Sequence, residues 1–408
     1  MKRYLLISLI LCMIMPAVAA RADEEKLDRL FKILRENGNI SQEQYEELTE
    51  AAEETPPDSR RQSSVDLRVD TEGGLEVATY DGRFAFSLGG RLFVDAADFT
   101  EDENKLGDGT EIRSARLKLE GTLYADFDFE LEFDFADGDT DIEDAYVRYT
   151  GFWPMTITVG QFKEPFSLED QTSKNRITFM ERAMVNELVP DRHIGIGMNY
   201  HRNWWTLAAG LFGDDFNDDP DDEGDEGFGA AGRLTFSPVH TETRAFHVGG
   251  AASYRNLDDE HEIRFKPRPE SHLTDVEFAD TGKLKNSDHM VRYGLEAAGV
   301  YGPWSLQGEY ISARVVRSED AEDVDFDGWY VFGSWFLTGE SRDYKFDDGD
   351  FGRVNPINTW GAVELALRYS TIDLNDGPVS GGEEENITFG LNWYVHPHAR
   401  LMINYIVV

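Results

Sequence analysis

From Phe127 to Phe135 every odd position is apolar, and every even position from Asp128 to Asp134 is a carboxylate. A period of two predicts a strand with one apolar and one polar face. The preceding Arg116-Leu-Lys-Leu-Glu-Gly121 alternates in the same way, and similar segments recur to the C-terminus. After a short ribbon at Val65–Thr79 the pattern predicts strands at Arg83–Phe99, Glu111–Tyr124, Ala125–Ala136, Asp141–Thr150, Met155–Lys163, His193–Arg202, Asn203–Gly213 and Gly227–Ser237. Further strands are predicted at Thr243–Arg255, Met290–Tyr301, Trp304–Arg317, Phe326–Thr338, Asn358–Thr371, Glu385–His396 and Ala399–Val408, fifteen in all. Tight turns such as Tyr124-Ala-Asp126, His201-Arg-Asn203 and His396-Pro-His398 alternate with long loops at Thr100–Thr110, Glu164–Arg192, Asp214–Glu226, Asn256–His289, Ser318–Asp325 and Ile372–Glu384. Short turns on one rim and long loops on the other are the habit of a membrane barrel, whereas a sandwich has no need of them. Thr338–Ile357 breaks the rule as a long connection on the short-turn rim.

The expected fold class is therefore all-β, a transmembrane antiparallel β-barrel of about sixteen strands. Trp204, Trp205, Trp304, Trp393, Tyr301 and Tyr394 lie at strand ends and suit an interfacial aromatic girdle. Single-chain bacterial barrels have even strand counts, and Asn404-Tyr-Ile-Val-Val408 lacks their usual terminal aromatic, so the reading leaves either a missing last strand or a miscount.

Residues 1–22 read as a secretory signal: Lys2 and Arg3, an apolar middle, and an A-x-A cleavage site at Ala17-Val-Ala19 or Ala20-Arg-Ala22. The one cysteine, Cys12, lies inside it, so the mature chain has neither disulfides nor thiolate metal sites. Residues 23–54 carry Leu27, Leu30, Leu34, Tyr45 and Leu48 at helical spacing, with Ser41 and Gln44 as a capping box. They read either as a periplasmic helical or coiled-coil extension or as a soft spacer. Residues 55–64 form a linker, and 65–408 the barrel.

Mean hydropathy is −0.48, and beyond the N-terminus no run approaches the roughly 20 apolar residues of a membrane helix. The net charge of −40, more negative still once Lys2, Arg3 and Arg21 are removed, argues against a nucleic-acid partner. An anionic solute needs positive charge gathered along its path. Asp214–Glu226 holds nine acidic residues and no basic one, which suits a solvated external loop facing lipopolysaccharide. Glu164–Arg192 instead holds Lys174, Arg176, Arg182 and Arg192, and Asn256–His289 holds Arg264, Lys266, Arg268, Lys283 and Lys285. On the strands, Arg91, Arg116, Lys118 and Arg148 share the polar phase. Guanidinium and ammonium groups are natural donors to an oxyanion. The competing role for each is a lumen salt bridge with Asp128, Glu130, Glu132, Asp134 or Glu120. No nucleophile elbow, phosphate loop or zinc motif is present, so neither an enzyme nor a cofactor is expected.

Several stretches stand out as motifs: Gly89-Gly-Arg-Leu92, Ile142-Glu-Asp-Ala-Tyr146, Val159-Gly-Gln-Phe-Lys-Glu-Pro-Phe-Ser-Leu168 with its Lys163, Thr178-Phe-Met-Glu-Arg182 and Pro190-Asp-Arg-His-Ile-Gly195. Leu337-Thr-Gly-Glu-Ser341, Phe351-Gly-Arg-Val354 and Arg400-Leu-Met-Ile-Asn-Tyr405 follow. In content and order these stretches resemble the phosphate-selective porin O and P family. The resemblance implies a homotrimeric outer-membrane channel of sixteen strands. Glu164–Arg192, Asn256–His289 and Thr338–Ile357 then fold inward to narrow the pore. The resulting expectation is passive diffusion of small, phosphate-like anions. Two alternatives stand beside it: a general or cation-preferring porin, because the early strands are acidic, and a non-conducting barrel that anchors the helical extension to the cell wall.

Overall fold

The computed structural model describes residues 67–70, 75–100, 105–138, 140–216, 227–257, 262–318 and 321–408. The signal, the helical extension and the linker lie outside the described residues, as do 217–226 and 319–320 of the acidic loops. A short ribbon, β1 (Leu67–Asp70) and β2 (Leu75–Thr79), precedes the long strands. The first half of the wall is β3 (Ala85–Ala97), β4 (Gly109–Leu123), β5 (Phe127–Asp134), β6 (Asp141–Phe152), β7 (Met155–Lys163), β8 (Arg192–Arg202) and β9 (Trp205–Phe212). It continues through β10 (Phe228–Thr241), β11 (Arg244–Asn256), β12 (Ser287–Tyr301), β13 (Trp304–Arg317) and β14 (Val324–Phe336). A small hairpin, β15 (Tyr344–Lys345) and β16 (Asp350–Phe351), interrupts the wall before β17 (Ala362–Asp376), β18 (Val379–His396) and β19 (Ala399–Val407). All but β15 and β16 belong to one 17-stranded sheet, in which each strand pairs antiparallel with the next along the chain. The fifteen long strands are those the alternation predicts. β3 and β19 jointly line two cavities, of about 470 and 710 Å³.

The two faces of this wall differ as a barrel in lipid requires. Leu295, Trp329, Leu367, Phe389 and Ile403 are exposed on one face, while their neighbours Glu296, Tyr330, Arg368 and Thr388 are buried on the other. An apolar surface of that extent is stable against hydrocarbon, not water. Trp204, Trp304 and Trp393 are exposed near the short turns, and Trp304 stacks on Trp335 with ring centroids 4.7 Å apart. Tyr394 departs from the girdle reading. It is buried and donates to Glu364 at 2.7 Å, because it falls on the inward phase of β18.

The lumen is not empty. Phe166, Phe179, Val185 and Leu188 from the connection between β7 and β8 (loop 3) are fully buried against Ile311, Val315, Phe326, Phe332 and Ile372 of the wall. Phe265, Ala279 and Leu284 from the connection between β11 and β12 (loop 5) join the same core. A second expectation is corrected. Ile372–Glu384 is a hairpin rather than a long loop, with β17 and β18 extended to a tight turn between Asp376 and Val379. Ile372 and Leu374 continue the inward phase into that core, and their burial outweighs the turn-like Asp373, Asn375 and Asp376 around them.

An outward mid-strand residue tests the orientation. Leu295→Arg should lower unfolding stability in a bilayer by about 2–4 kcal/mol. A urea titration of vesicle-refolded protein measures it, and no loss would mean Leu295 does not face lipid.

Candidate functional site

The connection that carries most of the site begins in β7. Gly160 has φ +129, and a Cβ there would lie 2.2 Å from the Ala145 carbonyl oxygen, so only glycine fits this kink. Gln161 follows, donating to the Ile142 carbonyl at 2.7 Å and accepting from the Phe216 amide at 2.7 Å. Glu164 accepts from Arg255 at 2.7 Å, and Phe166 is wholly buried. Ser167 caps the short helix α1 (Leu168–Gln171), its Oγ accepting from the Asp170 amide at 3.1 Å. Glu309 of β13 receives the Leu168 and Glu169 amides at 2.8 and 2.7 Å and the Tyr330 hydroxyl at 2.5 Å. The Gly-Gln-Phe-Lys-Glu-Pro-Phe-Ser stretch is thus the root by which loop 3 is bolted to the wall.

Arg368 of β17 completes the attachment. It is fully buried, with Nη2 2.5 Å from Glu270 of loop 5 and Nη1 3.5 Å from Glu169 of loop 3. Nη1 also donates to the Glu181 carbonyl at 3.0 Å, and the guanidinium lies 4.3 Å from the centroid of the Phe179 ring. Glu270 further accepts from Thr388 at 2.6 Å and from Ser370. One side chain of the wall therefore holds both inward loops.

The loops enclose an outer vestibule of about 590 Å³. Lys174, Arg182, Lys266 and Arg268 all line it, with the carboxylates of Asp170, Glu181, Glu187 and Glu277 among them. Most of these cations are paired. Lys174 lies 2.8 Å from Glu181, Arg182 3.2 Å from Asp170, Lys266 3.2 Å from Glu277 and Arg268 2.9 Å from Asp275. Arg264 pairs with Asp280, and Lys163 lies 3.3 Å from Asp170. On the acidic wall Arg116 joins Glu132 at 2.9 Å, Asp134 at 2.7 Å and Glu143, while Lys118 joins Glu120 and Glu130 at 2.7 and 3.0 Å. Arg113, which the alternation did not single out, donates to Glu181 at 2.6 Å. A register shift between Phe93 and Val94 places two residues of β4 against one of β3 there, so the two-residue period slips. Burial pushes the Glu181 carboxyl up, but Lys174 and Arg113 outweigh it and bring it down to about 2. Burial also wins at Lys174, lowering it to about 8 despite Glu181.

Three of the expected cations make no ion pair among the described residues. Arg148 donates to Thr158 at 3.2 Å, Arg91 donates to Ser114 at 3.3 Å, and the buried Nε of Arg176 has no partner. Arg91 and Arg176 face a second, inner cavity of about 470 Å³, which Arg353, Arg400, His396 and His398 also line. Arg353 donates to His398 at 2.8 Å, and Arg400 to the Ile177 carbonyl at 2.6 Å, so neither is neutralised by a carboxylate there. The carboxylate on this lining is Asp95. Arg353 and Arg400 stand in stretches the sequence singled out, but nothing in their spacing revealed that they converge.

Residues 86–408 match the family described as phosphate-selective porin O and P. The chain belongs to that family. Porin O of Pseudomonas aeruginosa is 32% identical over 381 residues, covering 84% of this chain and 87% of that protein. An uncharacterized protein of Caulobacter vibrioides is 30% identical, covering 88% of this chain and 74% of its own length. Among solved structures, a loop-deletion mutant of the outer-membrane protein OmpT of Vibrio cholerae superposes with a TM-score of 0.50 at 15% identity, over 79% of this chain and 93% of that one. This is an outer-membrane porin of the β-barrel type.

The clamp gives a prediction for this porin. Arg368→Met leaves two carboxylates facing a dry core and should cost about 3–5 kcal/mol of stability. In planar bilayers the variant should show larger, noisier conductance as loops 3 and 5 detach. Unchanged conductance and stability would remove Arg368 from its role.

Proposed function

We propose that this porin passes small inorganic anions of the phosphate class by diffusion, through a pore narrowed by loops 3 and 5. The observation that carries the reading is the set of four arginines, Arg91, Arg176, Arg353 and Arg400, lining one cavity with no ion pair to a carboxylate among the described residues. Such guanidinium groups attract an anion strongly where water is scarce. Paired cations act differently: Arg116 and Lys118 are spent in bridges to Glu132, Asp134, Glu120 and Glu130, two cations against four carboxylates, so they offset only part of the negative field of β4 and β5. The family's description and the name of the Pseudomonas aeruginosa relative support the same direction. Several weak sites in series allow entry without trapping. We assign the working unit to three copies of the chain in the outer membrane, with the acidic external loops facing lipopolysaccharide. No step of this function needs a cofactor or a catalytic group.

A cation-preferring pore is the competing reading, favoured by Asp128, Glu130 and Asp144 on the inner wall. Reversal potentials in a potassium chloride gradient decide between the two, and a preference for potassium overturns the proposal. Arg176→Glu should lower the chloride-to-potassium permeability ratio several-fold. Lys266→Glu, whose ammonium already faces Glu277, should change it by less than about twofold. An equal effect from both would dissolve the distinction between paired and unpaired cations. pH offers a second check. Lys174 loses its proton as pH rises through about 8 while Glu181 stays ionised, so the vestibule turns more negative. Anion preference should therefore fall between roughly pH 7 and pH 9, and Lys174→Met should abolish that fall.

A further inference from the structure

Behind the root of loop 3, the inner face of β11 and β12 carries a positive charge with no partner. Arg292 is 8% exposed and makes no hydrogen bond or ion pair among the described residues, and its Nε is fully enclosed. Ser253 is the residue directly opposite it on β11. That serine is also buried, and its hydroxyl has no partner. Arg255 stands two residues further along the same face. Its Nη2 donates to Glu164 at 2.7 Å and its Nη1 to the Gly213 carbonyl at 3.0 Å, but its Nε is unpartnered. Directly opposite residues on a sheet face lie about 5 Å apart at Cβ, and diagonal ones about 7–8 Å. Three buried donors thus converge on one patch of wall.

Among the described residues no carboxylate comes within ion-pair distance of Arg292, and the nearby Glu164 and Asp214 are engaged by Arg255. Glu164 is the buried carboxylate beside the two guanidinium groups, and Arg255 and the Nδ1 of His193, 2.9 Å away, already occupy it. Asp191 is exposed, and Asp214 is 3.6 Å from Arg255 rather than against Arg292. A lysine so placed would shed its proton, but a guanidinium cannot. Water would satisfy the N–H groups and still leave the charge, which is costly in a low dielectric. Phe166 of loop 3 closes this side of the wall, since a Cβ on Gly294 would lie 3.1 Å from its ring. The Glu164 amide reaches the Asp191 carbonyl at 3.4 Å, so the two ends of loop 3 meet at the same place.

We propose that a small inorganic anion, chloride or an oxyanion of the phosphate class, is a resident counterion held by Arg292, the Arg255 Nε and the Ser253 hydroxyl. It seals the root of loop 3 to the wall and lies off the route of the permeating solute. The test is the thermal unfolding midpoint of the folded porin in detergent, at constant ionic strength, as potassium gluconate is exchanged for potassium chloride or potassium phosphate. The wild type should gain stability and saturate, and the more effective of chloride and phosphate identifies the occupant. Arg292→Met removes the charge along with the site. In gluconate it should match or exceed the wild-type midpoint, and it should not respond to either anion. Ser253→Ala should keep the response with a half-saturation several-fold higher. Crystals soaked in bromide should show an anomalous peak in contact with both Arg292 and Ser253. A wild type indifferent to both anions, or variants that respond as the wild type does, would overturn the site. If Arg292→Met does not fold, Ser253→Ala and the bromide peak decide the matter. Salt-gradient selectivity reads the pore separately and has no part in this outcome.

Discussion

Arg368 and the two carboxylates it meets are the contact on which the constriction depends. A guanidinium with no solvent exposure holds Glu270 from one loop and Glu169 from another, and Thr388 and Ser370 complete the carboxylate shell of Glu270. Burying three charges is expensive, so such a cluster adds less net stability than an apolar core of the same volume. What it adds is position. An apolar side chain tolerates sliding by a fraction of a residue, whereas a guanidinium fork loses its partners at once. Glu309 repeats the device two strands away, taking two loop-3 amides in one carboxylate. The pore is therefore narrowed by segments held in fixed register to the wall.

This arrangement explains an asymmetry in the lumen. On β5 the inward residues are Asp128, Glu130, Glu132 and Asp134, while on β14 they are Val324, Phe326, Tyr330, Phe332 and Phe336. Both belong to one barrel. The acidic stretch stays partly wet and is offset in part by Arg116 and Lys118. The aromatic stretch is covered by Phe166, Phe179 and Val185 of loop 3. Along β14 the wall is apolar where loop 3 lies on it, with Glu309 and Arg368 on the flanking strands as buried anchors, and along β5 it is charged where water reaches it. Loop 3 thus divides the lumen into a packed half and a polar half.

Such a division also accounts for how much could be read from the residues alone. Alternation located all fifteen long strands, because lipid on one side punishes any slip of phase. It failed where local packing overrode local composition. Ile372–Leu374 looked like loop because of its acidic neighbours, and Arg113 escaped notice because a bulge breaks the period. The candidate cations on the strands fell on the inward phase as expected, but phase does not say which of them meets a carboxylate. Arg368, Glu309 and Arg292 occupy ordinary inward positions, and nothing nearby in sequence marks them. The partners of Arg368 and Glu309 are supplied by loops far off in sequence, Arg368 meeting Glu169 and Glu270, and Glu309 meeting Leu168, while Arg292 has none among the described residues. Inward folding of loops 3 and 5 was available only through the family resemblance.

The split between paired and unpaired cations is what reconciles a strongly acidic chain with the anion path we propose. A salt bridge at 2.6 to 3.2 Å, like those of Arg113, Lys174 and Lys266, presents a dipole whose field decays quickly with distance. An arginine anchored by carbonyls, a hydroxyl or a histidine keeps its whole charge, as Arg400, Arg91 and Arg353 do. The backbone carbonyls that fix Arg400 belong to Ile177 and Lys174, on the same loop that carries Arg176. Loop 3 therefore does more than narrow the lumen. By offering carbonyl oxygens in place of carboxylates it holds a cation still without neutralising it. On this proposal a net charge of −40 is no obstacle, because many of its carboxylates are committed to bridges along the wall or to external loops.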